Sequence, residues 1–456
     1  MIFAGNSQKS CLNGKICDYR GMIIDFSVKN YRSFINEQRI SFVASNYDKS
    51  LSENLIDPGL EGREFSRLRL LKGLALYGAN AAGKTNVLLA LRYLARMVED
   101  SATDLDEGDQ TGVEPFSLDS NSTKEPSEFV LRFIVNGVRY HFVLVINQER
   151  VLFEALSAFP KGREQIWYER TWDEKRNSYY WVPIRPTNYR PDSSLVKFTR
   201  ANALYLSTAV KFNDEQLKPI YIWFKEKVRF LRLNADFPPL SPQFTVEKII
   251  ENSNRRANIT KLLQHADIGI LSTKVSERAL ELSDLPKGIP DALVKQILTS
   301  KHYNITLGHR GVEGQEFPIS WEEESSGTQK FFALSGPWID ILENGYFAGL
   351  DEIESSLHPS MVSALLKLVF SNETNKNGAQ LIFTTHNPLL LDTEVMRRDQ
   401  VWFADKDDEG ATHIYPLTDY KPRNEESLVR GYMAGRYGAV PFIPHKLLIE
   451  TLVSDD

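Results

Sequence analysis

The run Gly78-Ala79-Asn80-Ala81-Ala82-Gly83-Lys84-Thr85 constrains this chain more than any other segment. It matches the pattern G-x-x-x-x-G-K-[ST] between an apolar stretch, residues 71–77, and a stretch in which Val87, Leu88, Leu91, Leu94 and Val98 recur at helical spacing. Strand, glycine-rich turn and helix in that order make a phosphate-binding loop. Glycines let the backbone wrap phosphate oxygens without a Cβ in the way. Successive N–H groups and the helix start offer a positive end to the anion. ATP and Mg²⁺ are the expected ligands, held by residues 78–85 with Asn86 beside them. Lys84 should reach the β- and γ-phosphates, and Thr85 should ligate the metal.

Three further motifs fit the same chemistry. Tyr346-Phe347-Ala348-Gly349-Leu350 ends in Asp351-Glu352, an apolar strand running into two carboxylates. Alone that is an acidic turn; beside a phosphate loop, Asp351 can hold Mg²⁺ through water and Glu352 can orient or deprotonate the attacking water. Glu324-Ser325-Ser326-Gly327-Thr328-Gln329 heads a helix, and its exposed N–H groups with Ser326 can bind a γ-phosphate. Taken alone it reads as a helix cap. Leu381-Ile382-Phe383-Thr384-Thr385-His386 is an apolar strand ending in a histidine, at the carboxyl end where α/β sites assemble.

Composition narrows the class. With 42% hydrophobic and 25% charged residues the chain is globular, and its net charge of -6 gives no global signal for nucleic acid. The two cysteines, Cys11 and Cys17, make neither a disulfide framework nor a zinc site, which fits a reducing cytoplasm. No apolar run approaches the roughly 18 residues of a membrane span. Residues 1–21 read as an extension ahead of a strand at 23–28. Residues 22–212 read as an ATPase lobe with β-hairpins, including an Asn136-Gly137 turn. Residues 213–318 are mainly helical in pattern, with breaks at 238–239 and 286–290. Residues 319–415 alternate helix and buried strand, as in a parallel sheet, and close with a hairpin around 408–410. Residues 416–456 form a tail. The Asp405-x-Asp407 pair in that hairpin reads as surface charge rather than a metal site.

The order of the four motifs resembles the ATP-binding-cassette heads of the RecF, SMC and Rad50 proteins. It is similar above all to the ATPases related to the overcoming-lysogenization-defect proteins. Asn30-Tyr31-Arg32-Ser33-Phe34 resembles their opening strand, which implies that Arg32 approaches the nucleotide. Residues 351–359 and 383–388 are similar to their Walker B, D-loop and switch segments. The resemblance implies an α/β fold, a P-loop ATPase head with an antiparallel β-lobe and a helical insertion. It implies ATP hydrolysis with His386 sensing the γ-phosphate. It also implies a homodimer or higher homo-oligomer in which Ser326 and Gly327 of one subunit cap the nucleotide of the other. Ser325 and Thr328 depart from the usual signature, and the stretch 203–213, where a coupling glutamine belongs, contains none.

The absence of heptads between Thr85 and Ser326 argues against the coiled-coil members. The residues after His386 are too few for an added nuclease domain. Stand-alone ATPases of this look, with tail patterns like 400–403 and 435–442, resemble the ATPase subunits of the Septu and PARIS anti-phage systems. That resemblance implies a sensor and scaffold that controls a separate effector, a nuclease or toxin, in answer to a phage-derived trigger. A RecF-like repair ATPase that binds DNA is the alternative, and an autonomous toxin that depletes nucleotide is a third.

Overall fold

The computed structural model describes residues 20–440, apart from 61, 63–64, 183–188, 232–240, 267–268, 279–289, 356 and 424–425. Nearly all of the expected N-terminal extension, with Cys11 and Cys17, lies outside the described residues. So do the break at 238–239, most of that at 286–290, Ser356, and the tail beyond 440.

At the centre is a six-stranded sheet, in the order Val228–Leu231, Phe347–Leu350, Gln380–Thr385, Gly73–Tyr77, Val401–Lys406, Thr412–Pro416. The first five strands run parallel and the last pairs antiparallel. The three middle strands are buried along their whole length, as a sheet covered on both faces requires. Their alternate residues divide between two cores. Leu74, Leu76, Ile382 and Phe347 join the cluster that contains Leu88, Leu91 and Leu94 of the helix Lys84–Asp100. Ala75, Tyr77, Leu381, Phe383 and Ala348 face the other way, into the cluster of Phe332, Trp338, Leu365 and Leu366. The period of two thus builds a helix-sheet-helix sandwich with the phosphate loop at its edge.

The first core is closed by a seven-stranded antiparallel sheet. Its order is Ser178–Trp181, Gln165–Asp173, Val151–Phe159, Val138–Ile146, Ser127–Val135, Gly21–Lys29, Gln38–Ser41. The Asn136-Gly137 turn forms as expected, with both residues at positive φ, 52° and 75°.

A third sheet, Ile270–Arg278, His302–Arg310 and Glu316–Ser320, joins the helices Pro242–Glu251 and Ser253–Ala266. These helices pack on the helix that starts at the Ser-Gly motif, Ser326–Asn344. Pro337, inside that helix, has no N–H to offer the Ala333 carbonyl four residues back. Thr245 Oγ1, on a neighbouring helix, lies 3.1 Å from that carbonyl and 2.9 Å from Phe332 O, so one hydroxyl proton is shared between the two. The segment read as mainly helical therefore carries strands as well. Val228–Leu231 is too short to show a period, and it forms by pairing in parallel with Phe347–Leu350.

Candidate functional site

The loop after Gly73–Tyr77 turns by positive φ at Ala81 (64°) and Gly83 (93°), which aims successive N–H groups inward. Gly83 has no room for a side chain: a Cβ there would lie 2.1 Å from Thr412 Oγ1 and 2.7 Å from Ser33 Oγ. Thr412 and Ser33 clasp the loop from outside. Thr412 Oγ1 donates to Ala82 O (2.9 Å) and lies 2.8 Å from Ser33 Oγ, while Asn86 Nδ2 donates to Ser33 Oγ (2.7 Å). Lys84 is buried and its Nζ donates to the carbonyls of Gly78 (2.9 Å) and Ala79 (2.8 Å), so its ammonium lies across the mouth of the loop.

Thr85 ties the loop to the neighbouring strands. Its hydroxyl is 3.0 Å from both carboxylate oxygens of Asp351, and Asp351 Oδ1 also accepts from Thr384 Oγ1 at 2.6 Å. The Thr384 hydroxyl in turn accepts the Glu352 N–H (2.7 Å), and its carbonyl accepts the Ile353 N–H (3.2 Å). Glu352 sits at φ 48°, a costly conformation for a residue with a Cβ. That turn sends the three carboxylates to different places. Asp351 is buried against Thr85, Glu352 is exposed, and Glu354 is buried. Glu354 Oε1 accepts from the His386 N–H (2.8 Å) and lies 3.0 Å from His386 Nδ1.

Burial pushes the Asp351 carboxyl above its usual range, against the hydrogen bonds from Thr384 and Thr85, with Glu352 adding to the rise and Lys84 opposing it. Burial likewise lowers the Lys84 ammonium, which Asp351, Glu352 and Glu354 oppose. Each desolvated charge is disfavoured alone and favoured by a charged partner. The residues present fit ATP and Mg²⁺. Thr85 and Asp351 form an all-oxygen pair of the kind Mg²⁺ uses together with phosphate and water. Bound there, the metal would neutralise charge on the phosphate oxygens.

Ser326 and Gly327 open the helix Ser326–Asn344 and stand at its surface end, with Ser326 exposed. Ser325 caps this helix by accepting the Thr328 N–H (3.1 Å). Glu324 is fixed by His309 Nε2 at 2.7 Å, and Gln329 Nε2 donates to Trp321 O at 2.6 Å. Arg32 sits at φ 49° and pairs with Glu114 at 2.9 Å. Together with Ser33, Asn86, Gln148 and Lys406 it lines a cleft of about 640 Å³ beside the loop. Asp405 Oδ2 accepts the Ala439 N–H and Asp407 pairs with His413. No group of three or more metal-ligating side chains occurs among the described residues. The stretch 203–213 contains the helix Tyr205–Lys211, whose first N–H groups, Tyr205 and Leu206, are taken by buried Glu154.

The structure thus brings Lys84, Thr85, Asp351, Glu352 and His386 to the carboxyl ends of three adjacent parallel strands. Sequence reasoning missed Thr384, Glu354 and the Ser33–Thr412 clasp. Glu354 alone carried a signal, as the third carboxylate within four residues. No helix among the described residues is long and apolar enough to cross a membrane.

No curated protein matches the chain. Among the solved structures that resemble it are two Smc heads, both at low TM-score. One is the Smc head domain of Pyrococcus furiosus with an extended coiled coil, bound to the C-terminal domain of ScpA: 15% identity, TM-score 0.37, covering 88% of this chain and 98% of that one. The other is the Smc head domain of Pyrococcus yayanosii with a coiled coil and joint: 12% identity, TM-score 0.36, covering 88% and 100%. Strand order and phosphate loop carry the fold assignment, not these likenesses. A family model described as "AAA domain, putative AbiEii toxin, Type IV TA system" matches residues 74–392, from the strand before the phosphate loop to just past His386. This chain belongs to that AAA domain family.

Proposed function

We propose that this protein binds and hydrolyses ATP as the sensor and scaffold subunit of a two-component anti-phage defence system. In this reading ATP joins two heads, and the joined state controls a separate nuclease or toxin. One observation carries it: the Walker groups and His386 converge around Asp351 and Thr85, whereas Ser326 and Gly327 present a capped but outward helix start in another layer of the fold. A second head would bring that helix start to the phosphates. Lys84, Thr85 and the loop N–H groups bind the phosphates and Mg²⁺. Glu352 takes the proton of the attacking water, and His386 donates to the terminal phosphate.

The test is a phage challenge of cells carrying the native operon. Lys84→Ala and Glu352→Gln should each abolish protection, and full protection by both variants would sink the defence reading. A second reading, that the chain is itself the toxic component, is favoured by the word toxin in the family's description. Growth arrest and a fall in cellular ATP on expression of this chain alone would select it.

A further inference from the structure

Glu354 lies in the turn after one parallel strand, His386 at the end of the next, and Tyr77 at the end of the third, just before the phosphate loop. Glu354 is 8% exposed, and its Oε1 accepts the His386 N–H at 2.8 Å and lies 3.0 Å from Nδ1 of the same ring. A carboxylate oxygen only accepts, so this close approach favours the tautomer with its proton on Nδ1. The carboxylate thereby orients the ring, while the side chain of His386 stays 55% exposed. Oε2 of Glu354 is buried with no hydrogen bond, and so is the Tyr77 hydroxyl. Leaving a buried carboxylate oxygen without a partner costs stability. Such a cost is out of place in a purely structural residue.

We propose that Glu354 is a positioning residue for His386, and that it determines which nitrogen the ring presents to the terminal phosphate. Glu352, two residues earlier, is turned outward and is left for the attacking water. With Nδ1–H committed to Glu354, the neutral ring presents Nε2 as an acceptor. Only the imidazolium presents an N–H there. The switch histidine is therefore coupled to the Walker B turn through side chains as well as through Thr384. This inference rests on the reading of His386 as the phosphate-sensing group.

The experiment uses the full chain with Glu354→Gln, Glu354→Ala, His386→Ala and the double variant Glu354→Ala/His386→Ala. Glutamine keeps an oxygen for the His386 N–H, so it guards against a fold that fails. Binding of a fluorescent ATP analogue should change less than about threefold, while kcat falls about 10–100-fold, the usual cost of removing the partner that orients a histidine. The double variant should be no slower than His386→Ala alone. Additive losses, or a loss confined to nucleotide binding, would overturn the proposal.

Nitrogen-15 NMR of the histidine rings, with His386→Ala assigning the signal, gives a readout independent of turnover. The His386 ring should carry its proton on Nδ1 in the native chain and shift toward Nε2 in Glu354→Ala. An unchanged ring spectrum would also overturn the proposal. If no version hydrolyses ATP but the ring still shifts, the ATPase reading fails and the positioning of His386 stands.

Discussion

The Walker half and the signature half of this head are built by opposite means. The Walker half is held by side chains from distant parts of the sequence: Thr85 to Asp351, Asp351 to Thr384, Glu354 to His386, Thr412 to Ala82. The signature half is held locally, by Ser325 capping its own helix, by Gln329 reaching back to Trp321 and by His309 holding Glu324 fifteen residues on. The first half is a closed network of buried groups. The second is an anchored end with an exposed face. A network that ties several strands together around one point is suited to gripping a ligand, and an anchored open end is suited to meeting a partner.

The largest effect that would break this comparison is on hydrolysis. Glu352→Gln should slow turnover by about 10²–10⁴-fold with ATP binding intact, because a general base is removed and the turn at Thr384 is kept. Turnover within tenfold of native would place the base elsewhere. Lys84→Ala comes next, with a loss of about 10²–10³-fold in turnover and weaker binding too, read by isothermal titration. Ser326→Arg separates the halves most directly. ATP binding by the isolated chain should persist, while ATP-dependent dimerisation, followed by analytical ultracentrifugation, should be lost. Turnover should fall by about 2–30-fold, the range of a phosphate at a helix start. Mixing Ser326→Arg with Lys84→Ala should restore part of the turnover, since one composite site then has both native halves. No restoration would mean that the signature does not act across subunits. The smallest effect is in Thr412→Ala, which should cost about 1 kcal/mol and lower Tm by about 1 °C. A larger fall in ATP affinity than in Tm would show that the clasp tunes the loop itself.

Most of the Walker half was legible in the sequence because its chemistry is carried by residue identity at fixed spacing. Glycines at 78 and 83, Lys84, Thr85 and the apolar run into Asp351 admit few other uses. The groups that fasten these motifs together were not legible. Thr384 is one of two threonines in a buried strand, and only the left-handed turn at Glu352 shows why its hydroxyl meets Asp351. Ser33 and Thr412 carry no local pattern at all, since their partnership spans most of the chain. The edge strand Val228–Leu231 was hidden for a related reason: four residues cannot declare a period, and pairing with Phe347–Leu350 makes them a strand.

The clasp on Gly83 has a consequence for how the protein is made. Thr412 reaches Ala82 across 330 residues of sequence. At roughly 5–20 residues per second, a ribosome needs from about 15 seconds to a minute to cover that stretch. Throughout that time the loop lacks the hydroxyl that holds its outer side. The nucleotide site is therefore one of the last parts of the molecule to mature, although its phosphate-loop residues, 78–85, are translated early. A nascent chain cannot present the phosphate loop in its finished geometry until the hairpin at 401–416 has emerged and folded back.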